Sequence, residues 1–173
     1  MNQADVRLIE FSVSALQAEE RSARELCDAL GVAAPSEWPP PFHDAGARAW
    51  FRAQLEAQPG AAAWLGRYVV ASIDGQSTLV GTAGYKGPPN ADGAVEIGYS
   101  IVEAYHRRGI GLVMVRQLVD DAFADPRVRI IMAETPVTFA ASRGLLERSG
   151  FALAKTRIDP EDGELAVYDI VRS

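Results

Sequence analysis

The chain of 173 residues contains one cysteine, Cys27, and two histidines, His43 and His106. A single cysteine excludes an intrachain disulfide and favours the cytoplasm as the compartment. With so few histidines and no second cysteine, a His/Cys metal site is not expected, and we predict no bound metal. Cys27 lies on the apolar stripe of a predicted helix, which favours a buried packing residue over a nucleophile.

Long apolar runs and an excess of positive charge are missing too. No apolar segment approaches the ~20 residues that span a bilayer, and residues 1–7 do not show the basic region and apolar core of a signal peptide. Asp and Glu outnumber Lys and Arg by 23 to 17, which gives a net charge of −6. This balance argues against nucleic acid or an anionic membrane as partner and is compatible with a cationic substrate.

Apolar residues make up 48% of the chain and charged residues 23%, as in ordinary globular proteins. The hydrophobic periodicity predicts one mixed α/β domain over residues 1–173, with the element order β-α-α-β-β-β-α-β-α-β-β. Strands are predicted at residues 6–11, 67–73, 78–85, 94–102, 128–134, 151–157 and 165–171. Helices are predicted over 14–31, between Asp44 and Pro59, over 112–123 and over 138–149, with Ser14 and Thr138 as candidate N-caps.

A cationic, glycine-rich turn, His106-Arg107-Arg108-Gly109-Ile110-Gly111, joins the strand that ends at Val102 to the following helix. Such a turn exposes main-chain N–H groups at the positive end of the helix, where glycine allows a ligand to approach closely. The turn therefore suits a phosphate group. The alternative is that the glycines merely form the corner between strand and helix, since a short glycine motif alone is weak support.

This turn and the order of elements resemble those of the GNAT superfamily of acetyl-CoA-dependent N-acetyltransferases. Gly109 and Gly111 match the family's glycine positions, while His106 stands where Gln or Arg is usual. A second family feature, a helix that closes in Gly-Phe before a strand, matches Gly150-Phe151. Phe139 replaces a common asparagine in that helix, and the layout is loosely similar to that of ribosomal-protein N-terminal acetyltransferases.

The resemblance implies a single GNAT-like domain with a mixed sheet of about six or seven strands, splayed central strands and about four helices. It also implies acetyl-CoA as cosubstrate. The diphosphate would lie on the main-chain amides of Arg107, Arg108, Gly109, Ile110, Gly111 and Leu112. The pantetheine arm would bond the main chain of Ile101 and Val102, and Ser142 would contact the cofactor.

Glu96 is the leading candidate for chemistry. Strand alternation places Glu96, Gly98 and Ser100 on one face, opposite the apolar residues of the same strand. Many GNAT enzymes have a glutamate at this position that acts as general base, commonly through water, and a partly buried carboxylate could deprotonate an ammonium. The alternative is a structural or solvated carboxylate on the open face of the sheet.

Other residues are left with open roles. The family's usual acid, a helix tyrosine, is Leu146 here, so Tyr99 and Tyr168 are the remaining candidates and no general acid is assigned. Trp38, Phe42, Trp50 and Phe51 either belong to the core or wall the acceptor site. Finally, Glu19, Glu20 and Glu25 alternate with Arg21 and Arg24, a pattern typical of a solvated helix face.

Two functions follow as hypotheses. The first is an N-acetyltransferase that moves acetyl from acetyl-CoA to a primary amine by direct attack. The second, suggested by Leu146 and Phe139, is a non-catalytic module that senses acyl-CoA or docks a partner. The acceptor, a small molecule or a peptide amine, is not identified by the sequence, and a homodimer is possible.

Overall fold

A computed structural model describes residues 4–173. Residues 1–3, which belong to the segment inspected for a signal peptide, lie outside the described part. The strands are β1 (Val6–Glu10), β2 (Gly66–Ile73), β3 (Gln76–Tyr85), β4 (Ala94–Ile101), β5 (Ile130–Pro136), β6 (Ala152–Asp159) and β7 (Gly163–Val171). The α-helices are α1 (Val13–Arg21), α2 (Ala23–Leu30), α3 (Ala45–Ala57), α4 (Ile110–Ala124) and α5 (Ala140–Arg148), and short 3₁₀ turns cover Pro59–Trp64 and Glu103–Tyr105.

The seven strands form one mixed sheet in the order β1-β2-β3-β4-β5-β7-β6. Every neighbouring pair is antiparallel except β4 and β5, which run parallel. The predicted mixed α/β fold and its strand count are confirmed. Strands β1 and β6 form the sheet edges, and the homodimer stays a prediction.

The central strands separate part of the way along their length. Strand β4 pairs with β5 only from Ala94 opposite Ile130 to Ile97 opposite Ala133. Beyond that point β4 stays paired with β3 as far as Ile101, and β5 stays paired with β7 as far as Pro136. The expected splay is therefore present, and it opens a cleft between the second halves of β4 and β5.

The predicted long helix over 14–31 is two helices, because Ser22 adopts an extended conformation (φ −170°, ψ 157°) between them. The Ser22 hydroxyl accepts a hydrogen bond from the N–H of Glu25 at 3.1 Å and so caps α2. The prediction of Ser14 as the first cap is wrong, since Ser12 caps α1 by accepting from Ala15 at 3.1 Å. Both hydroxyls have cap spacing in the sequence, and only the backbone conformation selects between them.

The N-terminus of α5 also differs from its prediction. Phe139, not Thr138, occupies the N-cap position, and it makes no side-chain cap hydrogen bond. Gly150 ends this helix as expected, with a φ of 94° that favours glycine.

The sheet is covered on both faces. Helices α4 and α5 cover one face, where Met114, Leu118 and Leu146 are fully buried within the larger core. Helices α1–α3 pack through a second cluster that contains Leu16, Leu26 and the predicted buried thiol of Cys27. Each such aliphatic side chain contributes about 1.5–3 kcal/mol by leaving water. The two cores fix α4 and the α1–α3 layer on either side of the cleft.

Candidate active site

The turn before α4 has an unusual backbone. Arg107 and Gly109 both lie in the left-handed region, with φ of 61° and 75°. Within the described residues 4–173, the main-chain N–H groups from Arg107 through Leu112 donate to no other protein group, and the first bonded amide is that of Val113, which donates to Gly109 at 3.3 Å. Successive free amides in such a turn, at a helix N-terminus, form a concave anion site. The residues present therefore fit a diphosphate.

The two glycines of the turn have different structural roles. A Cβ added at Gly109 would meet no atom within 4 Å, so this residue supplies the positive φ and leaves open space above the amides. A Cβ at Gly111 would lie 2.9 Å from a side-chain atom of Leu145 on α5. Gly111 thus allows α4 to approach α5 closely, and the phosphate site and the strand-to-helix corner are parts of one structure.

The main chain of β4 is oriented by its pairing with β3. The N–H of Lys86 donates to the carbonyl of Glu96 at 3.0 Å, and the N–H of Val102 donates to that of Val80 at 2.9 Å. Because antiparallel pairing alternates, Tyr99 and Ile101 direct their N–H and C=O groups to the other side, toward the cleft. The N–H of Ile101 is thus suitably placed to bond a pantetheine arm as an added strand, whereas its carbonyl is bonded by a side chain of the following turn.

The hydrogen bonds of Val102 do not favour the contact predicted for it. Its N–H is engaged by Val80, and its carbonyl accepts from the N–H of Tyr105 at 2.9 Å. His106, the departure from the family signature, bonds through Nε2 to the carbonyl of Ile101 at 2.8 Å. This bond ties the phosphate turn to the end of β4.

Tyr99 and Ser142 meet across the cleft, with their hydroxyl oxygens 3.1 Å apart. Burial raises the pKa of Tyr99, so its phenol remains protonated at neutral pH. Tyr168, the other candidate acid, is fully buried, donates to Glu147 at 2.9 Å and accepts from Arg143 at 3.2 Å. Tyr168 therefore anchors α5 to β7, and Tyr99 is the tyrosine that lies at the cleft.

Glu96 lies on the face of β4 predicted for it, with Gly98 and Ser100. Its carboxylate accepts a hydrogen bond from Lys86 Nζ, and about a third of the side chain (32%) is exposed. The carboxylate is therefore paired with a cation at the entrance to the cleft, a partner that the sequence pattern did not indicate.

A cavity of about 190 Å³ adjoins Gly98–Ser100, at the open side of the cleft. It lies between β3 and β4 on one side and the segment before and within α3 on the other. Its lining residues are Phe11, Pro41, Phe42, His43, Phe51, Gly66, Thr82, Ala83, Gly84, Tyr85, Lys86, Gly98, Tyr99 and Ser100.

The positions of Trp38, Phe42, Trp50 and Phe51 relative to this cavity differ. Phe42 and Phe51 line it. Trp50 packs edge-on against Phe51, with ring centroids 5.1 Å apart. Trp38 lies behind the wall, where its indole N–H donates to Glu19 at 2.8 Å.

The assignment of Glu19 to a solvated helix face is wrong. Its carboxylate is buried and accepts hydrogen bonds from three residues: the indole of Trp38, His43 Nε2 at 2.9 Å and the hydroxyl of Tyr68 at 2.8 Å. Burial alone would raise the pKa of Glu19, but the bonds from His43, Tyr68 and Trp38 outweigh it and hold the pKa below its usual value. Glu20 on the same helix is exposed and pairs with Arg52, as a solvated face predicts.

A second, more open depression of about 380 Å³ lies at the end of α2. Cys27, Gly31 and Ser77 are among its lining residues, all of which lie within 27–33 and 76–77. Since it is remote from β4 and α4 in the fold, the smaller cavity at the cleft is the better candidate for the acceptor site.

Comparison with known proteins identifies the family. Residues 14–152 match the family model described as an acetyltransferase (GNAT) domain. The protein YjdG of Bacillus subtilis (strain 168), an uncharacterized N-acetyltransferase, is 26% identical over 149 residues, which is 86% of each chain. The chain therefore belongs to the GNAT acetyltransferase family. It is an acyltransferase, and acetyl-CoA is its cosubstrate.

Solved structures share the fold. The microcin C7 self-immunity acetyltransferase MccE, in complex with acetyl-CoA and AMP, superposes with a TM-score of 0.67 at 13% identity, over 97% of this chain and 93% of that one. The aminoglycoside acetyltransferase AAC(6′)-Ib, in complex with coenzyme A, gives 0.63 at 19% identity, over 97% and 95%. In the described residues, no helix is long and apolar enough to cross a membrane.

We predict that Glu19→Gln destabilises the fold by about 3 kcal/mol at neutral pH, because it leaves buried donors without a charged acceptor. Because the pKa of Glu19 is lower in the folded state, the ionised carboxylate stabilises the fold fully at pH values above its unfolded pKa of 4.5. This stabilisation is lost as the pH falls through the folded-state pKa. The difference in unfolding free energy between the unchanged protein and Glu19→Gln should therefore become smaller in acid, as measured by urea unfolding. Glu20→Gln is the matched control, with a loss below about 1 kcal/mol. A difference in unfolding free energy that is absent at pH 7, or that stays constant into acid, would contradict the role of Glu19 as a buried charged acceptor.

We predict that Gly109→Ala weakens coenzyme A binding, because alanine in the left-handed region costs about 1 kcal/mol and shifts the amides above which the new Cβ stands. Gly75→Ala in the β2–β3 turn is the control, since Gly75 also has a positive φ (82°) and open space around its Cβ position. Calorimetry should show reduced affinity for the first variant alone, with similar thermal destabilisation of both. Equal affinities of the two variants for coenzyme A would show that the turn at 106–111 is not part of the binding site.

Proposed function

We propose that this protein transfers the acetyl group of acetyl-CoA to a primary amine by direct attack, without a covalent intermediate on the enzyme. The observation that carries the proposal is the continuity of three features. The free amides of 107–112, the outward main chain of Tyr99 and Ile101, and the cavity at Gly98–Ser100 follow one another along the cleft. Such an arrangement would hold both reactants together and lower the entropic part of the barrier.

The chemistry requires a neutral amine. An ammonium gives one proton to a base, its nitrogen lone pair then attacks the thioester carbonyl to form the new C–N bond, and the C–S bond breaks to release the thiolate of coenzyme A. The nitrogen loses its second proton as the amide forms, and this proton goes to the thiolate or to water. The thiolate is a tolerable leaving group, since a thiol pKa lies near 8.5. The residues of this chain therefore have two tasks: they align the amine with the thioester, and they accept its proton.

We propose Glu96 as the proton acceptor, acting through water. Its position supports this role, because it shares a face of β4 with Gly98 and Ser100, both of which line the cavity. The contact with Lys86 holds the carboxylate beside the cavity, since Lys86 itself lines the wall. A purely structural ion pair is the competing interpretation.

Glu96→Gln should lower kcat by about 100-fold or more with an accepted amine, the usual effect of losing a general base. The dissociation constant for coenzyme A should stay the same, because Glu96 lies apart from the phosphate turn. Thiol release and the mass of the acetylated amine provide the measurement. Glu164→Gln, an exposed carboxylate on β7, is the control and should retain full activity. An unchanged pH–rate profile in the Glu96 variant would leave the ion pair with a structural role only.

A further inference from the structure

We propose that the acceptor is a compact amine with a single positive charge on an aromatic or apolar body, and not a polyamine or an aminoglycoside. The inference deepens the proposed function and depends on it. It is carried by the lining of the acceptor cavity and by the state of the two carboxylates nearest to it.

The cavity walls are aromatic. Phe11, Phe42 and Phe51 contribute aromatic rings, and the described lining residues include no Asp or Glu. Tyr85 and Tyr99 also border the cavity, but their hydroxyl groups bond Leu118 and Ser142 on the α4–α5 side of the sheet. The formal cation among the described lining residues is Lys86. The overall charge of −6 is therefore not reflected at the site, where the local lining opposes a second or third ammonium.

The two carboxylates behind these walls are already engaged. Glu19 is covered by His43 and accepts three hydrogen bonds, so it cannot pair with a ligand without releasing one. Glu96 pairs with Lys86. Each ammonium of a polycation would enter without an anionic partner, and a buried unpaired charge is costly. One ammonium can instead be held by the faces of the aromatic rings, an attraction of about 0.5–2 kcal/mol.

The size of the cavity also favours a compact acceptor. Its volume of about 190 Å³ lies below the roughly 300–1,000 Å³ of sites that enclose a drug-sized ligand. Only a compact group fits inside, and a larger body would have to extend past the rim.

The rim carries a strained aromatic residue. Phe42 has a positive φ of 66° and is 66% exposed, and its ring centroid lies 6.1 Å from that of Phe139 on the α5 side of the cleft. Positive φ at a bulky residue is unfavourable and is maintained where the surrounding structure requires it. The two rings thus form an apolar entrance that matches the apolar body of the acceptor.

The test compares amines of different charge. Thiol release from acetyl-CoA is measured with phenethylamine, spermidine and kanamycin, and kcat/KM is expected to be at least about tenfold higher for phenethylamine, the change that one aromatic contact supplies. A preference for spermidine or kanamycin would overturn this inference while leaving acetyl transfer intact. Thiol release with none of these amines, nor with a wider amine panel, would instead overturn the proposed function itself.

Variants locate the preference in the cavity. Phe42→Ala should raise the KM for phenethylamine about tenfold and leave coenzyme A affinity unchanged. Because Phe42 is exposed, the melting temperature should stay close to that of the unchanged protein, which thermal unfolding checks. Ile158→Ala, at an exposed apolar residue on β6, is the control. Thr82→Asp, which adds a carboxylate to the lining, should shift kcat/KM toward spermidine. If the Phe42 variant changes the KM no more than the control does, the inference is wrong.

Discussion

The divergence of β4 from β5 after the Ile97–Ala133 pair is the constraint on which the rest of the site depends. Each strand keeps its outer partner, so the cleft costs no pairing on the far sides of the two strands. The edge of β4 then presents Tyr99 and Ile101 to the cleft. The turn that follows this edge leads into α4 and places the free amides of 107–112 at one end of the cleft. The cavity proposed for the acceptor lies at the other end.

The wall of the cavity that faces β3 and β4 is stabilised by a buried carboxylate and not by apolar packing alone. Glu19 draws together α1, the segment that contains Trp38 and His43, and Tyr68 of β2. Since His43 lines the cavity, the network fixes the shape of the acceptor side. If the proposed acceptor site is correct, Glu19 serves both the stability of the fold and the shape of that site.

The sequence predicts much of this structure where the signal is local. Alternation in β4 identifies the face of Glu96, and the glycines of 106–111 identify the turn, because both depend on a few consecutive residues. Burial of Glu19 was missed, since its partners lie 19, 24 and 49 residues away and its neighbours resemble a solvated face. Lys86 as partner of Glu96, and the engaged main chain of Val102, likewise depend on how β3 and β4 pair.

Hydrogen–deuterium exchange with and without coenzyme A tests the account most directly. In the free protein we expect the amides of 107–112 to exchange rapidly, because no protein group in the described residues accepts from them. Saturating coenzyme A should slow exchange in this segment and along Tyr99–Ile101, with little change in the β2–β3 turn. Coenzyme A that binds, as shown by calorimetry, yet leaves exchange at 107–112 unaltered would contradict the account.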